Sequence, residues 1–160
     1  MAVLTNTGRT AMAAAIMAQP LHFAWGSGDP DWDTLPAPAT QLATALTAEL
    51  GRIAPTLVEY CAPDEAGAIG VPSGRYAVSS APTRYLHLQF QFQFEDEPEG
   101  VIREGGLFMN TALAANLPGG QRYFPPADVD SPGTLLAIER FPKITRSVQS
   151  RQTFEFVLVI

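Results

Sequence analysis

Residues 85–94 alternate side-chain character without a break: Tyr85, Leu86, His87, Leu88, Gln89, Phe90, Gln91, Phe92, Gln93, Phe94. A period of two is the signature of a half-buried strand. Leu86, Leu88, Phe90, Phe92 and Phe94 share one face, where each buried side chain contributes about 1.5–3 kcal/mol before conformational entropy is subtracted. His87, Gln89, Gln91 and Gln93 form a polar row on the other. Before this strand, residues 5–19 read as an alanine-rich helix capped by Thr5 or Asn6, with Leu4, Met12 and Ile16 at helical spacing and Pro20 as its stop. Residues 21–25 read as a short strand ending at Gly26, Ser27 and Gly28, and 29–38 as a surface loop rich in Asp, Pro and Thr. A second, short helix is expected from about Ala39, because Leu42, Leu46, Leu50 and Ile53 recur every three or four residues. Gly51 or Pro55 marks its end.

Further strands are expected at 56–60, 75–79 and 134–140, with a turn-rich crossing at 63–74. The acidic turn 95–100 suggests a hairpin that brings residues 101–108 back beside the long strand. Residues 154–160 form a run apolar on both faces, which needs cover from its own sheet or from a neighbouring subunit. The expected class is therefore α+β: an antiparallel β-sheet or sandwich with an N-terminal alanine-rich helix and one further short helix. A length of 160 residues suits a single domain over 1–160, with the helix at 5–19 and a β-rich body at 21–160.

Charge narrows the partners. The formal net charge is −6, and the basic residues are scattered from Arg9 to Arg151 instead of forming a stripe, which argues against nucleic acid. Residues 138–146 are locally basic and include Lys143, the only lysine, but their apolar alternation reads as an edge strand. No apolar stretch approaches the roughly 20 residues that span a bilayer, so no membrane partner is expected. Residues 11–18 are apolar, yet no Lys or Arg precedes Arg9, unlike a cleaved signal. The single Cys61 excludes an intramolecular disulfide and a thiolate zinc site.

The chemistry-bearing residues do not assemble into a known pattern. Asp29, Asp31 and Asp33 alternate like the first ligands of an EF-hand calcium loop, but Thr34 stands where that loop needs glycine and Thr40 where it needs a bidentate Glu. A solvated acidic turn is the simpler reading, with ion binding in an assembled state left open. Gly26, Ser27 and Gly28 lack the following helix and third glycine of a phosphate-cradling loop. His22 and His87 have no third metal ligand at a recognisable spacing. Cys61 and the serines sit in no nucleophile motif, and Glu95, Asp96, Glu97 and Glu99 read as a solvated hairpin tip. No catalytic, cofactor or metal residues are expected, and the chain is not expected to be an enzyme.

Four blocks, in order, carry a family resemblance. Residues 4–15 open on Leu4, Thr5, Asn6, Thr7, Gly8 and Arg9; Phe23, Ala24 and Trp25 lead into Gly26, Ser27 and Gly28. Leu46, Glu49 and Arg52 follow, and then Val101, Ile102, Arg103, Glu104, Gly105, Gly106, Leu107 and Phe108. This order resembles the tail-collar fibre proteins of tailed bacteriophages, in particular the N-terminal domain that attaches a fibre to the tail or baseplate. Gly105 departs from the family, which has an apolar residue there, and no fibre shaft follows. The resemblance implies a structural baseplate or tail-fibre attachment subunit of the virion, made in the bacterial host cytoplasm. Its implied partners are copies of itself and other tail, baseplate or fibre proteins.

Arg103 and Glu104 fall on opposite faces of a regular strand, so one could pair in the core while the other meets a neighbour. With Phe154, Phe156, Leu158 and Ile160 they are the expected assembly residues. The alternative is a small β-sheet binding module whose row of His87, Gln89, Gln91 and Gln93 contacts a glycan or peptide.

Overall fold

A computed structural model describes residues 1–97 and 99–160; Pro98, within the expected acidic turn, lies outside the described residues. Helix α1 spans Asn6–Met17. The strands are β1 (Leu21–Gly26), β2 (Glu49–Ile53), β3 (Leu57–Pro63), β4 (Ile69–Val71), β5 (Gly74–Val78), β6 (Tyr85–Phe92) and β7 (Gly100–Met109). They continue as β8 (Ala112–Leu113), β9 (Tyr123–Phe124), β10 (Val129–Ser131), β11 (Thr134–Arg146) and β12 (Gln152–Val159), with short 3-10 turns at Pro30–Trp32 and Pro126–Asp128. The fold is α+β and mostly antiparallel sheet, as the pattern predicts. Two compact units form, one from Met1–Gln19, Pro55–Phe90 and Thr153–Ile160, the other from Pro20–Ala54 and Gln91–Gln152.

The first unit holds α1 and a five-stranded sheet in the order β12-β6-β3-β5-β4. Thr5 starts the helix, its Oγ1 accepting the Gly8 N–H at 3.1 Å, which satisfies one of the donors left open at a helix start. Ala13 is the buried residue of α1, whereas Leu4 and Met12 are nearly half exposed. Its packed face is thus centred on Ala13, with Ala14, Ile16 and Met17 half-buried beside it. In β6, Leu86, Leu88 and Phe90 are wholly buried, and the strand runs antiparallel to β3 with Leu86 opposite Tyr60 and His87 opposite Glu59. Cys61, Ile69 and Tyr76 form a cluster with Val71, Tyr85 and Val157 packed against it. Burial, helped by the Glu59 charge, pushes the Cys61 thiol up to about 11, so it is an inert core thiol.

The second unit is built on a sheet in the order β11-β7-β1-β2-β9, with a small β10-β8 ladder. Ala24, Leu46 and Phe108 make one core cluster with Leu135 and Ile138 against it. On the alternate positions of β1, Trp25 stacks on Phe92 with centroids 3.5 Å apart, and Phe23 meets Phe92 edge-on. Gly105 accounts for the family departure: a Cβ there would lie 2.4 Å from Cζ of Phe23, so the aromatic ring occupies the volume of the missing side chain.

Three expectations are corrected. The second helix does not form: residues 41–48 are turns and bends, Leu42 is exposed, and Glu49–Ile53 is the strand β2 paired with β1. Three threonines and Gly51 weaken a helix there, and the ladder to β1 overrides the apolar spacing. The hairpin expected between residues 84–94 and 101–108 is also absent. β6 and β7 belong to different sheets, and β7 pairs with β1 and β11. The reason lies in the acidic turn, which is built instead of merely solvated. Asp96 is buried and its carboxylate accepts the Gln93 N–H at 2.7 Å, while Arg146 Nη2 collects the carbonyls of Gln93 and Asp96 at 2.7 and 2.9 Å. Finally, that turn ends β6 at Phe92, so Phe94 is not in the buried row; it is exposed, with the Arg151 guanidinium 4.7 Å above its ring.

Candidate assembly surface

β12 is the end strand of its sheet, beside β6. Its residues Phe154, Phe156 and Leu158, and Ile160 just beyond, lie on one face by alternation and are each half-buried. Phe156 stacks on Phe90 with centroids 6.0 Å apart and planes 20° from parallel. On the opposite face, Val157 packs on the Cys61 cluster and Glu155 Oε1 lies 2.8 Å from His87 Nε2. The other ring nitrogen of His87, Nδ1, is 2.9 Å from Glu59 Oε1. One buried imidazole therefore ties three adjacent strands, and making both bonds at once needs a proton on each ring nitrogen or on a carboxylate.

Within the polar row of β6, His87 is buried, its side chain only 4% exposed. Further along that row the glutamines are half-buried, and Gln93 Nε2 donates to Gln91 Oε1 at 3.0 Å.

Arg103 and Glu104 do point to opposite sides of β7, and each has a partner inside its own unit. Arg103 Nε donates to Asp33 Oδ1 at 2.7 Å and Nη1 to the Ser27 carbonyl at 2.8 Å. Lys143 Nζ holds the other Asp33 oxygen at 2.7 Å. These hydrogen bonds, from Lys143 first and then Arg103, hold the Asp33 carboxyl below the usual range. Gly28, at φ +59°, lets the loop pass where a Cβ would sit 2.9 Å from the Trp32 ring and 3.0 Å from the Arg103 Cβ. Glu104 is wholly buried; its Oε1 accepts the Ala48 N–H at 2.9 Å, and Oε2 has no partner among the described residues.

The remaining sequence candidates have structural partners as well. Asp29 caps the turn at Pro30–Trp32 by accepting the Asp31 N–H at 2.9 Å, so the three aspartates do not converge. Among the described residues no three His, Cys, Asp or Glu side chains gather to hold a metal ion. His22 is buried against Phe124, and burial with the nearby Arg52 charge lowers its pKa to about 4. Among the described residues, no helix is long and apolar enough to cross a membrane.

Three residues organise the second unit, of which Arg52 stood out in the sequence only within the family-like block with Leu46 and Glu49. Arg52 is 1% exposed, pairs with Glu49 and lies 4.3 Å over the Phe108 ring. Arg146, 3% exposed, ties the end of β11 to the turn after β6. The Tyr123 hydroxyl donates to the Leu50 carbonyl at 2.9 Å and accepts from Trp25 Nε1 at 3.2 Å; burial pushes its phenol well above the usual range. In a sequence, a lone Arg or Tyr near turns looks like surface, and only long-range register reveals the partner.

Among the described residues the fold is β-rich, mostly antiparallel sheet with one α-helix. A family model described as baseplate wedge 3 tail fiber network component matches residues 1–160, and the chain belongs to that family. The resemblance to phage tail and baseplate fibre proteins is thereby borne out, and the setting is the bacteriophage tail. No curated protein matches the chain.

Proposed function

We propose that this chain is a non-enzymatic structural subunit of the baseplate or fibre-attachment region, assembling with copies of itself and with other tail proteins. Protein surfaces are its contacts in this reading, without nucleic acid or membrane, and it joins the virion after synthesis in the host cytoplasm. The observation that carries the proposal is β12: the end strand of its sheet, with an apolar face of Phe154, Phe156 and Leu158, fixed to β6 by the His87–Glu155 contact. Phe154, Phe156, Leu158 and Ile160 supply the apolar part of the interface. Arg103 and Glu104 act indirectly, Arg103 by holding the Asp33 carboxylate and the Ser27 carbonyl and Glu104 by accepting the Ala48 N–H, which fixes loops of the second unit. The family match over the whole chain supports the same reading.

The test is quantitative mass spectrometry of gradient-purified particles, with this chain measured against the tail-tube protein. A fixed ratio between the two is expected, and its value gives the copy number. Particles that lack the chain would overturn the proposal.

A further inference from the structure

β12 is joined to its sheet without a hairpin. The strand that precedes it in the chain, β11, belongs to the other sheet, and its pairing neighbour β6 lies far earlier in the sequence. No hairpin turn therefore binds β12 to β6. The link between β11 and β12, residues 147–151, is exposed throughout. It is held folded by a few bonds: Ser150 N–H to the Ser147 carbonyl at 3.2 Å, and Arg146 Nη1 to the Ser150 carbonyl at 2.5 Å. Opened out, five residues reach about 17 Å.

The place beside β6 cannot stand empty. Without β12, the buried His87 loses Glu155 and Phe90 loses the ring of Phe156, leaving a buried polar group and an apolar face exposed together. The same two contacts make the place selective, because an incoming strand needs a carboxylate followed at once by an aromatic residue, in register. A second copy of this chain offers that pair on its own β12. Every bond made in the folded-back form recurs in the exchanged form, so only the link and the local concentration separate the two.

We propose that β12 is an exchangeable strand, and that in the assembled state the β12 of one copy completes the β6-β3-β5-β4 sheet of another, placing Glu155 against the second copy's His87. This rests on the reading of the chain as an assembly subunit and specifies how copies join.

Light scattering on size-separated full-length protein tests it. Deleting Val148, Gln149 and Ser150 removes the turn that closes on the Ser147 carbonyl and is expected to convert the protein into dimers or larger species. A flexible Gly-Ser insertion after Ser150 is expected to leave monomers. A folded monomer from the deletion variant, or identical oligomers from both variants, would overturn the proposal. If the deletion variant fails to fold, a photo-reactive benzoyl-phenylalanine at Phe156 decides, using isotopically heavy protein refolded with unlabelled protein. Cross-links from heavy chains to β6 of light chains support exchange, whereas exclusively heavy–heavy and light–light links sink it. Intramolecular links alone, in a chain present at fixed ratio in particles, would remove strand exchange and leave the assembly role intact; absence from particles removes the role itself.

Discussion

Glu49 and Arg52 form a two-pronged ion pair, Arg52 Nε to Glu49 Oε1 at 2.8 Å and Nη2 to Oε2 at 2.7 Å, although they stand three residues apart on one strand. That spacing sends side chains to opposite faces of a regular sheet. The register explains the pairing: Trp25 stands opposite Gly51 and Gly26 opposite Glu49, so Leu50 is skipped and the bulge returns Glu49 to the face of Arg52. Arg52 Nη1 then reaches the Thr111 hydroxyl at 2.8 Å and the Pro132 carbonyl at 2.9 Å. One guanidinium thus joins β2 to the segments that follow β7 and β10.

Arg52→Ala should accordingly cost about 3–5 kcal/mol, because it leaves acceptors without a donor and removes the stem packed on Phe108. Arg52→Lys should recover only part of this, since an ammonium cannot serve the fork and the two further acceptors together. Urea unfolding of the three proteins checks both. A loss under 1 kcal/mol for the alanine variant would show that the pair is not structural.

Gly105 and Phe23 should behave as one unit. The clash of a Cβ with the Phe23 ring predicts that Gly105→Ala destabilises by about 1–3 kcal/mol, in line with overpacked cores. Phe23→Leu withdraws the ring edge, so the double variant Gly105→Ala/Phe23→Leu should be more stable than the sum of the single losses implies. Strict additivity in thermal and urea unfolding would place the cost of the Cβ elsewhere.

Much of the fold was legible because strands announce themselves through alternation. The period-two run at Leu86, Leu88, Phe90 and Phe92 marked a buried row, and Pro20 with Thr5 marked the helix ends. The second helix was misread because Leu42, Leu46, Leu50 and Ile53 satisfy a helical period while their burial comes from different sources: Leu46 packs on Ala24 and Phe108, Ile53 pairs opposite Phe23, and Leu42 is exposed. Periodicity cannot separate one packed face from a coincidence of spacing. Strand pairing was legible only locally. The assignment of β6 and β7 to separate sheets depends on Arg146, some fifty residues beyond the turn it closes, and no local pattern carries that partner. At the candidate surface, the apolar face of residues 154–160 was visible, whereas the His87–Glu155 contact required the order of strands.

His22 gives the protein an acid-sensitive element. Its folded pKa of about 4 lies below the ordinary 6.5, through burial first and the Arg52 charge second. The unfolded chain takes up this proton near pH 6.5 and the folded chain only near pH 4, so between those values the unfolded state binds more protons. Stability from this group is complete above about pH 6.5 and is lost as pH falls through about 4, by about 3 kcal/mol in all. His22→Phe cannot titrate, so the difference in unfolding free energy between variant and wild type should shift in the variant's favour by that amount across the window. Parallel pH profiles for the two proteins would contradict the buried neutral imidazole.

Arg146 should prove a stronger determinant than its place at a strand end suggests. Its guanidinium serves the carbonyls of Gln93 and Asp96 through Nη2 and that of Ser150 through Nη1, and it lies 5.1 Å from the Trp25 ring. Backbone carbonyls cannot be relieved by a change of rotamer, so removing the donor leaves each to find water or remain unpaired. Arg146→Ala should therefore cost about 3–5 kcal/mol and loosen both the 93–97 turn and the link at 147–151. Arg146→Lys, with one compact cation, should hold one turn at most. Hydrogen exchange gives the distinguishing readout: the Gln93 amide, held by Asp96 within the turn, should lose protection in both variants even where circular dichroism shows the sheets intact. Unchanged protection at Gln93 would mean that the turn holds itself and that Arg146 only covers it.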